Sequence, residues 1–236
     1  EITQLVQLAP VVRALLPELS LTQLPSFTHN LTQVAPTLTA MQGLAQSYDL
    51  ALTPARLTEV TTTLQLAPVV RAAVPELSVL QVPSFTQALV TQPTLTVPAV
   101  QQLAQSYDLA LTPARLTDLT HAVQLAPVIS AVLPELHLAQ LPTFTQALVS
   151  QPHFSLPTVQ ELTHSYDLAL PATRLADVTQ TLQLAPVVSA AVPELSLTQL
   201  PSFTQALTQV APTLPAVQAL AQSYDLALTP ARLTEV

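Results

Sequence analysis

The stretch that decides the fold is Ser47-Tyr48-Asp49-Leu50-Ala51-Leu52-Thr53-Pro54, an apolar segment that ends in threonine and proline. Its first six residues return at Ser106, Ser165 and Ser223, with spacings of 59, 59 and 58 residues. Pro-Glu-Leu recurs with nearly the same period, beginning at Pro17, Pro75, Pro134 and Pro193. Self-similarity at a fixed period indicates a tandem array. The sequence therefore divides into four repeats, 1–58, 59–117, 118–176 and 177–234, and residues 235–236 begin a further repeat.

Proline marks a finer period inside each repeat. In one series from Pro10 to Pro230, each proline follows the previous one after 14 or 15 residues, with Thr39 standing in for one of them. Proline is favoured in the first turn of a helix, where its missing N–H has no partner to lose and its fixed φ suits the helix. Thr53 and Thr112, each directly before a proline, add capping residues. We therefore expect four short, proline-initiated helices in each 58–59-residue repeat.

The apolar spacing supports helices over strands. Leu57, Val60 and Leu64 lie on one face of the helix that Pro54 would start. Pro75 should end the following helix near residue 73 or 74. A β alternative would need Gly, Asn or Asp at hairpin turns, yet the chain has a single Gly. Because short helices cannot bury an apolar face alone, we expect an all-α fold stacked as an α-solenoid.

The composition narrows the class of protein. Apolar residues make up 49% of the chain and charged residues 8%, and the net charge is −8. An acidic chain without lysine lacks the positive field that nucleic-acid binding requires, so we expect no nucleic-acid partner. No apolar run is long enough to predict a transmembrane helix. The absence of Cys leaves the redox compartment open, whereas Thr and Ser beside Pro favour an extracellular or surface location.

The most regular polar feature pairs Asp, near the end of one predicted helix, with Arg in the first turn of the next. Both placements oppose the helix dipole, so another interaction should favour them. We interpret these residues as structural ion pairs across the turn or between neighbouring helices. The alternative is a ladder that binds a periodic partner. The candidates are Asp49, Arg56, Asp108, Arg115, Asp167, Arg174, Asp225 and Arg232.

One phenylalanine recurs in the third unit of every repeat. We predict that these rings belong to the core, and the alternative is that they line an apolar groove. They are Phe27, Phe85, Phe144 and Phe203. The glutamate of each Pro-Glu-Leu string is expected to cap a helix start and offset its dipole.

The sequence contains no motif typical of a metal site, a catalytic nucleophile or a phosphate-binding loop. The five histidines occupy different repeat positions and have no Cys partners, so no metal site is predicted. A single Gly and the lack of Lys rule out the glycine-rich nucleophile and phosphate-binding motifs. We predict no catalytic residue, no cofactor and no enzymatic activity.

The leading hypothesis is a structural tandem-repeat protein that forms an extended scaffold and self-assembles into a filament or superhelix. Low charge and apolar surface favour such self-association. The two ends share one phase of the repeat and show no polar cap, which suggests an array that continues or stacks end to end. The alternatives are a solenoid that binds a peptide or protein partner, and a carrier of lipid or apolar surfaces.

Overall fold

The protein is all-helical. A computed structural model describes residues 2–34, 37–92, 94–151, 154–210 and 213–226, and within these ranges it forms twelve helices and no strand. This confirms the predicted all-α class. The helices are α1 (Ile2–Leu15), α2 (Leu24–Gln33), α3 (Leu38–Ser47), α4 (Pro54–Ala73), α5 (Val82–Thr91), α6 (Val97–Ser106), α7 (Pro113–Val132), α8 (Leu141–Val149), α9 (Leu156–Ser165), α10 (Ala172–Ala191), α11 (Leu200–Gln209) and α12 (Leu214–Ser223).

The prediction of four helices per repeat is wrong, because the described part of each repeat contains three. The helices predicted on either side of one proline position are joined into a single long helix, 20 residues in α4, α7 and α10. The prolines inside the long helices are Pro10, Pro68, Pro127 and Pro186. As predicted, α4 ends at Ala73, directly before Val74 and Pro75.

The environment of Pro68 explains why it does not start a helix. Leu66 and Ala67 precede it, so no Ser, Thr, Asp or Asn stands where a capping residue would be needed. Nearly every residue from Val60 to Val70 is buried, on both sides of the proline. An interior proline costs about 3 kcal/mol through one lost hydrogen bond and a ring clash. The burial of apolar side chains along both halves of α4 offsets that cost.

Proline does mark helix starts at the other positions of the series. Pro54 and Pro113 are the first residues of α4 and α7, and the hydroxyl of the preceding threonine accepts a hydrogen bond from the third backbone N–H of the helix. Thr96 caps α6 in the same way, one residue further from its proline. The shorter helices are also proline-initiated, with proline at the second position of α2, α5, α6, α8, α9, α11 and α12.

The long helices pack against one another in chain order. α4 contacts α1 on one side and α7 on the other, and α7 in turn contacts α10. The first short helix after each long one packs on that helix and also on the long helix before it, as α8 does on α7 and α4. The second short helix contacts the next long helix, as α6 does α7. One buried apolar cluster extends from Leu8 to Phe203 through these contacts.

Candidate functional site

The Asp residues of the predicted ion pairs terminate helices. Asp49, Asp108, Asp167 and Asp225 each have φ of 56°, in the left-handed region. At the end of α6 the N–H of Leu109 donates to the carbonyl of Ala104 at 2.9 Å, and the N–H of Asp108 donates to that of Gln105 at 3.0 Å. These two bonds define a Schellman motif, in which glycine is the usual residue and Asp or Asn is tolerated.

The Arg residues bind elsewhere, which corrects the predicted Asp–Arg pairing. Nη1 of Arg115 lies 2.7 Å from Oε1 of Glu76, and Nη2 lies 2.9 Å from Oε2. Nη2 also donates to the carbonyl of Ala73 at 3.1 Å, the last residue of α4. Arg115 therefore ties the first turn of α7 to the end of the preceding long helix, and we call this arrangement the arginine clasp.

The clasp recurs at the next junction. Arg174 in the first turn of α10 lies 2.6 Å and 3.0 Å from the two carboxylate oxygens of Glu135, and it donates to the carbonyl of Val132 at 3.4 Å. At the α1–α4 junction Arg56 keeps the backbone bond, to Leu15 at 2.8 Å, but pairs with Glu59 of its own helix at 3.0 Å. Arg232 lies outside the described residues.

Electrostatics favour the charged forms of the clasp. The hydrogen bonds from Arg115 are the main cause that lowers the pKa of Glu76 from 4.5 to about 2. The same bonds raise the pKa of the Arg115 guanidinium. Both side chains remain partly exposed, so solvent screens the pair. A bidentate Arg–carboxylate contact fixes geometry as well as charge, so the clasp sets the position of one long helix against the next.

A second recurrent contact joins a long helix to the loop between the two short helices before it, and sequence reasoning missed it. The side-chain amide of Gln124, in the middle of α7, is buried and donates to the carbonyl of Leu95 at 3.2 Å. Gln183 of α10 donates to the carbonyl of Phe154, one repeat further on. The signal was present, since Gln-Leu-Ala-Pro places an amide inside an apolar stretch of every repeat.

The recurrent phenylalanines lie in the core. All four are fully buried, and each packs edge-on against the tyrosine of its repeat, with ring centroids 5.1–5.2 Å apart. Such T-shaped pairs contribute about 0.5–1.5 kcal/mol beyond the burial of area. The rings therefore hold the two short helices of a repeat together and do not line a groove.

A cleft of about 230 Å³ opens beside one clasp, between α4, α7 and α8. Its floor is apolar and includes the buried Val69, Leu119 and Ala122. Its rim is polar and more exposed, and consists of Arg115, Asp118, Gln146 and Ser150. A wider groove of about 700 Å³ lies between α9 and α10, where Glu161 and His164 are among the lining residues.

Within the described ranges, no three His, Cys, Asp or Glu residues cluster closely enough to hold a metal ion. No described helix is long and apolar enough to cross a membrane. Comparisons with protein-family models, with curated proteins and with solved structures find no significant match to this chain.

Proposed function

We propose that this protein is a non-enzymatic structural scaffold, an α-solenoid in which each sequence repeat stacks on the one before it. The observation that carries the proposal is the arginine clasp, which joins consecutive long helices at Arg115 and again at Arg174. The first short helix after a long helix also contacts two long helices, and it does so at successive junctions, in α5, α8 and α11. Repetition of one contact along a chain is the geometry of solenoids, whose repeats contact only their neighbours.

Self-association into a filament or superhelix is part of this proposal. The contact between repeats joins two different surfaces, and such heterologous contacts can propagate between molecules without closing. The low charge of the chain, 8% of residues, offers little repulsion against association. Large apolar side chains stand exposed as well, with Leu80 at 83% and Leu21 at 67%.

Solution scattering tests the solenoid. A compact domain of 236 residues would have a radius of gyration of about 18 Å. We expect a clearly larger value, with the scattering profile of an elongated particle at the lowest concentration measured. A globular profile with a radius near 18 Å would overturn the solenoid.

Sedimentation and negative-stain microscopy across a concentration series test the self-association. We expect larger species to grow with concentration and to persist in high salt, because apolar contacts are not screened. Leu80→Thr is the matched variant, since Thr22 and Thr198 occupy the same repeat position. It should shift association to higher concentration without altering the helical content. A strictly monomeric wild type would refute self-association while leaving the solenoid intact.

The cleft between α4, α7 and α8 favours a second candidate, a solenoid that binds a partner or carries an apolar molecule. A concave site with an apolar floor and a few polar groups is the usual form of a ligand site. The two candidates differ in where sequence varies between repeats. A scaffold needs uniform junctions, whereas a binding module needs one junction that differs from the rest.

A further inference from the structure

Several residues that line the cleft are smaller than their counterparts at the junction one repeat earlier. Four lining positions are reduced in size: Ala73 for Leu15, Asp118 for Glu59, Ala122 for Thr63 and Ser150 for Thr91. Each loses between one and three heavy atoms. Another lining residue is larger, Leu119 for Val60, so the four reductions together are what distinguish the junction of α4, α7 and α8 from the junction one repeat earlier.

At the earlier junction the carboxylate that corresponds to Asp118 is engaged on both of its oxygens. Oε1 of Glu59 accepts a hydrogen bond from Nε2 of Gln87 at 3.1 Å, while Oε2 pairs with Arg56 at 3.0 Å. Thr63 is fully buried beneath them. In the cleft the matching residues Asp118 and Gln146 are both exposed, and within the described part of the chain neither side chain forms a hydrogen bond or an ion pair.

The charges at the rim favour a positively charged ligand. Both terminal nitrogens of Arg115 are engaged by Glu76 and by the Ala73 carbonyl, so its charge is compensated within the clasp. The carboxylate of Asp118 has no such partner among the described residues. The rim therefore carries one uncompensated negative charge, in a chain whose net charge is −8.

The size of the cleft limits the apolar part of a ligand. An apolar cavity of about 150 Å³ holds a benzene ring. The cleft, at about 230 Å³, has room for a ring or short alkyl chain with one small polar group. Its floor of Val69, Leu119, Ala122 and Pro142 offers such a body only apolar contacts.

We propose that this cleft binds a small organic ammonium ion, with an aryl or short alkyl body on the apolar floor and its charged nitrogen against the Asp118 carboxylate. An alkylamine is protonated at neutral pH, as a lysine side chain is. Gln146 lies on the same rim, where its amide oxygen can accept a second N–H from the ammonium. The site lies within one chain and does not depend on self-association.

Three probes of one shape test the proposal: benzylamine, benzyl alcohol and benzoate, each titrated into the full chain and followed by ligand-detected NMR and calorimetry. Benzylamine should bind most tightly and benzoate least. Asp118→Asn should weaken benzylamine about fivefold, the effect of losing a partly exposed ion pair, and leave benzyl alcohol unchanged. Asp177→Asn is the matched control, because Asp177 is the equivalent exposed residue one repeat later.

Ala122→Thr places a larger side chain on the floor of the cleft, the same residue type as its counterpart Thr63 one repeat earlier. It should reduce the affinity for benzylamine and for benzyl alcohol at least tenfold. Ala73→Leu fills the opposite wall in the same way, and circular dichroism verifies the fold of both. The proposal is overturned if no probe binds saturably or if benzoate binds as tightly as benzylamine. It is equally overturned if Asp118→Asn behaves like Asp177→Asn, or if both filled variants bind like the wild type.

Discussion

Replacing Asp108 by glycine should stabilise the protein. Asp108 ends α6 with φ of 56°, a conformation that costs an L-residue roughly 1–2 kcal/mol and costs Asp less than most. Glycine adopts it freely. The Schellman bonds from the N–H groups of Asp108 and Leu109 are backbone bonds, so the substitution leaves them in place.

The magnitude follows from three contributions. Removal of the left-handed strain gains about 1 kcal/mol. The greater flexibility of glycine in the unfolded chain takes back about 0.5–1 kcal/mol. Removal of a carboxylate from the negative end of the helix dipole gains about 0.3–1 kcal/mol. We expect a net gain of about 0.3–1.5 kcal/mol for Asp108→Gly. We expect a smaller gain for Asp108→Asn, which removes only the charge, and a loss for Asp108→Val, since β-branched residues avoid this region.

Denaturant unfolding followed by circular dichroism measures these differences. The triple variant with glycine at Asp49, Asp108 and Asp167 should gain about three times as much, because distant sites add. For a chain of this length each kcal/mol raises the melting temperature by about 2–4 °C. A stability of Asp108→Gly at or below the wild type would refute the argument. A destabilised Asp108→Asn would instead revive an ion pair between this carboxylate and an arginine.

Three further changes test other parts of the structure. Phe144→Ala should cost about 3–5 kcal/mol, measured by denaturant unfolding, because the ring is fully buried against Tyr166. Glu76 has its pKa lowered to about 2, so the stability it contributes is complete above its ordinary pKa of 4.5 and is lost as the pH falls toward 2. The stability gap between wild type and Glu76→Gln should therefore be open at pH 7 and close at pH 2, and a gap independent of pH would contradict the clasp with Arg115. Pro68→Ala restores an N–H donor inside α4 and should raise the free energy of unfolding by about 1–3 kcal/mol. A decrease would show that the packing of the proline ring contributes more than its disruption of the helix costs.

Local signals predicted most of the secondary structure. Threonine before Pro54 and Pro113, together with one-face apolar spacing, identified helix starts that the structure contains. Pro75 identified a helix end because the residue before proline is forced out of the helical region. Each of these signals acts within a few residues of chain, so a single sequence shows it in full.

The interior prolines could not be predicted from their spacing. Pro68 belongs to the same 14–15-residue series as Pro54 and Pro83, but the helix continues through it because residues on both sides are buried. Whether a proline starts a helix or bends one is decided by a capping residue before it and by tertiary packing after it. The sequence shows that Leu66 and Ala67 provide no cap, but it does not show that the residues on both sides of Pro68 are buried.

The clasp lay beyond local reasoning for a different reason. Arg115 and Glu76 are 39 residues apart, and so are Arg174 and Glu135. Proximity in sequence favoured the nearby Asp108, which instead serves the backbone by adopting the conformation that glycine usually supplies. With a single Gly in the whole chain, aspartate carries that task at four helix ends.

The use of aspartate where glycine is usual links the composition of the chain to the way its long helices are joined. Because aspartate is needed at these four helix ends for its backbone conformation, the arginine of the next helix pairs instead with the glutamate that follows the preceding long helix, as Arg115 does with Glu76. The local motif then positions the long helix, and the non-local ion pair fixes it against its neighbour. The proposed scaffold rests on junctions of this kind, and the proposed ligand site rests on the junction where Ala73, Asp118, Ala122 and Ser150 are smaller than their counterparts one repeat earlier. Specific function in such an array should therefore be sought where one repeat differs from the next, and the filled variants at Ala73 and Ala122 test that principle directly.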